Sequence, residues 1–148
     1  MLFNRAQRKP VTVTCNAKMT NETTIRQSLT SRLSDLRANT IIIDDSDKLK
    51  LNGVENGILI VYATWSELAI ANCIQAISTL YKSDYSGKLL VIDIDVMTID
   101  FQIDLLGNVC HGWGEIFLVL NGVITEKYLG KDSYHNFKTD LDNKKHSR

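Results

Sequence analysis

From residue 58 to residue 63 the chain reads Ile58-Leu59-Ile60-Val61-Tyr62-Ala63, apolar at every position rather than at every second one. A strand covered by helices on both faces has this pattern, whereas a strand with one wet face alternates. After it, Ile70, Cys73, Ile74, Ile77, Leu80 and Tyr81 recur at helical spacing until Ser86-Gly87. That stripe predicts an amphipathic helix. Lys88-Leu89-Leu90-Val91-Ile92-Asp93-Ile94 is a second strand. Strand, helix and strand in this order form a crossover unit with parallel pairing.

The flanks extend the alternation. Upstream, Ile25, Leu29, Leu33 and Leu36 lie on one stripe and Arg26, Arg32 and Arg37 largely off it, predicting a helix from Asn21 onward with Asn21 or Thr23 as its cap. Val11-Thr12-Val13-Thr14 has the β-branched content of a short strand or arm. Thr40-Ile41-Ile42-Ile43 is an apolar run stopped by Asp44-Asp45-Ser46-Asp47, and Asn52-Gly53 and Asn56-Gly57 punctuate the stretch before Ile58. A strand, a brief helix or turn, and a return are expected there. Downstream, a helix is expected over residues 98–106. Two β-rich runs then flank Asn121-Gly122, a pair suited to the positive φ angles of a type I′ hairpin turn. Tyr134, Phe137 and Leu141 mark a last helix, capped by Ser133 or Asp132, before a basic tail over residues 144–148. No internal repeat or low-complexity segment interrupts this order.

Composition narrows the function classes. At 148 residues and 44% hydrophobic content the chain can bury one substantial core, and one compact domain with an appendage is expected. Seventeen basic residues balance seventeen acidic ones, so no overall field draws the chain to nucleic acid or to an anionic membrane. The apolar runs fall far short of the roughly 20 residues that span a bilayer. Met1-Leu2-Phe3-Asn4-Arg5 and the charge after it lack the pattern of a secretory signal, which predicts a cytoplasmic protein. Cys15, Cys73 and Cys110, odd in number and widely spaced, fit reduced thiols. With no Cys-x-x-Cys or His-x-x-x-His spacing, no zinc site is expected, and no motif asks for a cofactor.

The element order from Thr40 to about Asn143 resembles that of the thioredoxin family, and individual residues carry the resemblance further. Tyr62-Ala63-Thr64-Trp65 is similar to the strand end that holds the family's Trp before its Cys-Gly-Pro-Cys motif. Tyr85-Ser86-Gly87-Lys88-Leu89 and Ile94-Asp95 resemble the link into the next strand and its close. Gly112-Trp113-Gly114-Glu115 stands where the family has Gly-Ile-Pro-Thr, and residues 121–130 resemble its final hairpin and glycine. The resemblance implies a three-layer α/β/α sandwich with a central mixed sheet over residues 40–143, and a strand/helix extension over residues 1–39.

The departures bear on function. Ser66 and Ala69 hold the family's dithiol positions, with Glu67-Leu68 between them. A serine hydroxyl cannot act as the low-pKa attacking thiolate of disulfide exchange, and Ala69 supplies no resolving thiol. The family's buried Asp aligns with Ile60 and its cis-proline with Gly114. Since the proline is the usual reason for a cis peptide at that position, the loop is expected to differ in shape. Together these changes imply a retired redox site.

The expectation is therefore a non-enzymatic interaction module whose partner is another protein, of the kind found among non-redox thioredoxin-like assembly factors, chaperones and immunity proteins that occlude a toxin. Trp65, Ser66, Glu67, Trp113, Gly114 and Glu115 are its expected contact residues, because in the family both Trp positions flank the redox site on one surface. Large aromatics are favoured interface anchors. Trp113 folded inward to fill the space left by the lost proline is the competing arrangement. Asp93, Asp95, Asp100 and Asp104 are expected as caps and solvated charges rather than as a metal cluster. Cys73 is expected in the core. Cys110, with His111 beside it to lower its pKa, is the basis of an alternative reading as a lone-thiol enzyme. A structural subunit of a larger assembly is a third reading. The N-terminal helix is expected to pack on its own domain, with a homodimer through its apolar face as the alternative.

Overall fold

The structure is a computed structural model that describes residues 21–33 and 35–146. Residues 11–14, expected as a strand or arm, lie outside the described residues, as do the side chains of the two expected caps, Asn21 and Thr23. A first helix, α1 (Asn21–Thr30), leads to β1 (Thr40–Ile43). Two short 3-10 turns, Ser46–Lys48 and Leu51–Gly53, form the expected brief return to β2 (Asn56–Tyr62). Then come α2 (Glu67–Lys82), β3 (Lys88–Asp93), α3 (Ile99–Leu106), β4 (Ile116–Leu120), β5 (Val123–Tyr128) and α4 (Ser133–His146).

The strands form one five-stranded sheet in the order β1-β3-β2-β4-β5. β1 and β2 run parallel to β3, while β4 pairs antiparallel with β2 and with β5. This is the expected mixed sheet, and β2-α2-β3 is the expected parallel crossover. At the hairpin Asn121 and Gly122 take φ of 50° and 80°, both positive as a type I′ turn requires.

Period-two alternation divides the strand side chains between two cores. Ile58, Ile60 and Tyr62 of β2, with Leu89 and Val91 of β3, face the layer of α1, α2 and α4. Leu59, Val61, Leu90 and Ile92 face the 3-10 turns, α3 and the segment leading to Cys110. Both faces of β2 are dry, which is why its sequence does not alternate. Ile60, at the position of the family's buried Asp, is fully enclosed.

α1 belongs to this domain rather than to an appendage. Ile25 and Leu29 have no exposed surface and join the core of the first face, with Leu33 and Leu36 packed against it beyond the helix end. Tyr62 Oη and Ser28 Oγ share a hydrogen bond of 2.5 Å. Tyr81 fastens the next segment: its hydroxyl accepts from Arg37 N (2.9 Å), and the Arg37 guanidinium lies 4.4 Å from the ring centroid. Ile25 and Leu29 on the apolar face of α1 are thus covered by its own domain. The extension drawn at residues 1–39 accordingly cuts through the core.

Candidate partner-binding site at the carboxyl end of the sheet

β2 and β3 end side by side, with Tyr62 paired to Asp93, and the chain leaves β2 through Thr64 and Trp65 into α2. Ser66 is the N-cap of that helix. Its Oγ accepts from Ala69 N (3.1 Å) and donates to the carbonyl of Gly112 (2.6 Å). A short hydroxyl side chain at this position satisfies an amide that the first helical turn leaves free. Here it also latches the loop opposite. Ala69 is fully buried, and its Cα lies 3.3 Å from where a Cβ on Gly114 would stand. Ser66 and Ala69, which the resemblance sets at the dithiol positions, are thus a helix cap and a packing contact.

The loop over residues 110–115 is fastened from several sides. Glu115 is 1% exposed, and its carboxylate accepts from the amides of His111 (2.6 Å) and Trp113 (3.3 Å). Asn72 of α2, also buried, donates through Nδ2 to the carbonyl of Trp113 (2.7 Å). Ser133 Oγ donates to the carbonyl of Gly114 (2.8 Å), so the hydroxyl expected to cap α4 is turned inward instead. Gly112 and Gly114 both have φ of 76°, a left-handed conformation that costs a side-chain-bearing residue about 1–2 kcal/mol. No peptide bond among the described residues is cis.

These contacts sort the six expected contact residues. Trp65 is 61% exposed, and Glu67 is exposed beside it. The Trp65 ring lies over Gly112, where an added Cβ would stand 2.4 Å from ring atom Cη2, and its Nε1 donates to Asp95 Oδ1 (3.3 Å). Trp113 is half-buried, its ring 5.1 Å from that of His111, between the two arrangements expected for it. Ser66 is half-buried and committed to hydrogen bonds. Gly114 and Glu115 are buried, so the structure corrects their placement on the contact surface: they shape the loop from within. Asn72 was not among the expected site residues, and Ser133 was expected only as a cap of α4. A lone polar residue on the apolar stripe of α2, next to Cys73, was the available signal for Asn72.

Neither buried thiol presents itself to solvent. Cys73 is fully buried in the first core, as expected, and burial pushes its thiol far up. Cys110 is 5% exposed in the second core. Burial, and then the neighbouring Glu115 carboxylate, push its thiol up to about 12. The Cys110 thiol is therefore shifted in the direction opposite to the one expected from His111. Burial also raises the Asp93 carboxyl, whose side chain caps the turn after β3 by accepting from Asp95 N (2.9 Å). Among the described residues no group of three or more His, Cys, Asp and Glu side chains is placed to hold a metal ion. Nor is any helix there long and apolar enough to cross a membrane.

Strand order, crossover and terminal hairpin define an α/β domain of the thioredoxin fold. Solved structures agree. Thioredoxin O2 from Arabidopsis thaliana in its oxidized state superposes with a TM-score of 0.59 at 14% identity, over 73% of this chain and 96% of that one. Mitochondrial thioredoxin 3 from Saccharomyces cerevisiae gives 0.54 at 14%, over 78% and 98%. The Malassezia sympodialis thioredoxin Mala s 13 gives 0.53 at 16%, over 72% and 91%. At these identities the likeness establishes the fold alone. No protein-family model matches the sequence, and no curated protein does.

Proposed function

We propose that this chain is a non-catalytic protein-interaction module that binds its partner through Trp65 and its neighbours Glu67, Leu68 and Trp113. The observation that carries the reading is the state of Trp65. It is the most exposed large aromatic side chain among the described residues, yet it is held in one orientation by Gly112 beneath its ring and Asp95 at its indole nitrogen. A preoriented, solvent-facing Trp loses little conformational freedom on binding, which favours such residues as interface anchors. Ser66 and Ala69 at the dithiol positions, and the burial of Cys110, support binding over thiol chemistry. An assembly factor, a chaperone or an immunity protein that occludes a toxin would each fit this reading, and a cytoplasmic location accompanies it.

The test compares capture from the source cell by the wild-type chain and by Trp65→Ala and Trp113→Ala, with mass-spectrometric identification of bound proteins and fractionation to locate the chain. One dominant partner lost with Trp65→Ala is the expected result. Retention of that partner by both variants, or catalytic disulfide reduction by the wild-type chain, would overturn the reading.

A further inference from the structure

The helix next to Trp65 is turned inside out along part of its length. On α3 the polar Gln102 is buried, donating through Nε2 to the Met97 carbonyl (3.3 Å) and accepting from Cys110 N at Oε1 (2.7 Å). Ile99 and Ile103 meanwhile are 60% and 49% exposed. Four residues apart, they lie one above the other on the helix surface. Asp95, which accepts from the Trp65 indole, stands in the 3-10 turn Ile94–Val96, and the extended residues Met97 and Thr98 carry the chain from there into α3. Trp65 and the Ile99-Ile103 pair are thus exposed apolar side chains on either side of Asp95, the one through the hydrogen bond to its carboxylate and the other through the chain that follows it. Isolated exposed apolar residues are ordinary, but grouped ones mark contact surfaces.

The charge next to these side chains is mainly acidic. Asp100 and Asp104 come directly after the two isoleucines and are exposed, as are Asp95 and Glu67. At the adjoining end of β1 stand Asp44, Asp45 and Asp47, where Lys48 is bridged to Asp44 at 2.7 Å. The sequence has no Lys or Arg from residue 51 to 81 or from residue 89 to 126. Lys127, near the far end of α3, donates to Asn108 Oδ1 (2.8 Å), and Lys131 lies on the Trp113 side. A chain balanced in total therefore sets acids beside Trp65, Ile99 and Ile103, while other exposed apolar side chains, such as Leu120 and Val123, lie on the terminal hairpin.

Resting on the interaction reading above, we infer that the contact surface continues from Trp65 onto α3 and takes a cationic segment of another protein, one bearing lysine or arginine around one or two apolar anchors. Opposite charge at the rim steers such a segment in and repels an acidic one, while Trp65, Ile99 and Ile103 supply the apolar contact.

The test titrates the full chain with two labelled synthetic peptides of equal length and leucine content, one rich in lysine and one in glutamate. The lysine peptide is expected to bind at least about tenfold more tightly, with affinity falling as salt is added. The paired variants Ile99→Ser/Ile103→Ser and Asp100→Asn/Asp104→Asn, each unfolding at the wild-type temperature, are each expected to lose about fivefold or more. Equal binding of both peptides, or wild-type affinity in both paired variants, would overturn the inference. Capture of the cellular partner separates the two levels. A partner lost with Trp65→Ala but kept by both α3 variants sinks this inference and leaves the interaction reading standing. A partner kept by both Trp65→Ala and Trp113→Ala sinks that reading as well.

Discussion

Two neighbouring parts of the sheet's carboxyl end are built in opposite ways. The loop over residues 110–115 is closed: its amides and carbonyls are met by Glu115, Asn72, Ser133 and Ser66, and its glycines lie directly against α2 and Trp65. The surface that carries Trp65, Ile99 and Ile103 is open, with large apolar side chains facing solvent. Here the loop is held by several side-chain hydrogen bonds while the apolar side chains of Trp65, Ile99 and Ile103 face outward, a division that suits a rigid platform beneath a contact surface.

The contrast can be broken most severely at Gly114. An alanine there would have to adopt a left-handed conformation and place its Cβ 2.8 Å from that of Asn72 and 3.2 Å from the Ala69 carbonyl oxygen. A destabilisation of about 3–4 kcal/mol is expected by denaturant unfolding of Gly114→Ala. Asn72→Ala leaves the Trp113 carbonyl without its shortest partner and should cost about 2–3 kcal/mol in the same assay.

The pH dependence tests the burial of Cys110, which opens the loop. Folding holds this thiol in its neutral form, with its pKa raised to about 12. A raised folded pKa contributes stability that is complete below the unfolded value and is lost as pH climbs toward the folded one. Near pH 10 the loss from this residue should be about 2 kcal/mol. Cys110→Ala should flatten the alkaline limb, and native Cys110 should resist alkylation at pH 8.

Smaller effects sharpen the contrast from the other direction. Ser66→Ala removes a helix cap and the latch to Gly112, for an expected loss of about 1 kcal/mol. Trp65→Ala, on the open surface, should change stability by no more than about 0.5 kcal/mol while abolishing partner capture. A large stability loss in Trp65→Ala would show instead that the ring is structural.

Legibility in the sequence divides along the same line. The central strand, the crossover and the Asn121-Gly122 turn could be read because local pattern and turn chemistry specify them directly. Ser66 as a substitute for a thiol was equally plain. Glu115 was misplaced on the surface because the amides that draw its carboxylate inward belong to His111 and Trp113, oriented by the left-handed glycines of the folded loop. Spacing along the chain carries no trace of that arrangement. The outward isoleucines of α3 were hidden for a related reason. Gln102 takes the inner position only because the Cys110 amide and the Met97 carbonyl meet it there. The stripe of α1 announced an apolar face without saying what would cover it.

The seating of Ile25 and Leu29 has a practical consequence for anyone cutting this gene. A fragment begun at Thr40, where the resemblance to thioredoxins starts, would lack the lid over one side of the sheet. It would leave Ile42, Tyr62 and their neighbours facing water. Such a fragment should precipitate or bind hydrophobic dyes, and a useful minimal domain begins no later than α1.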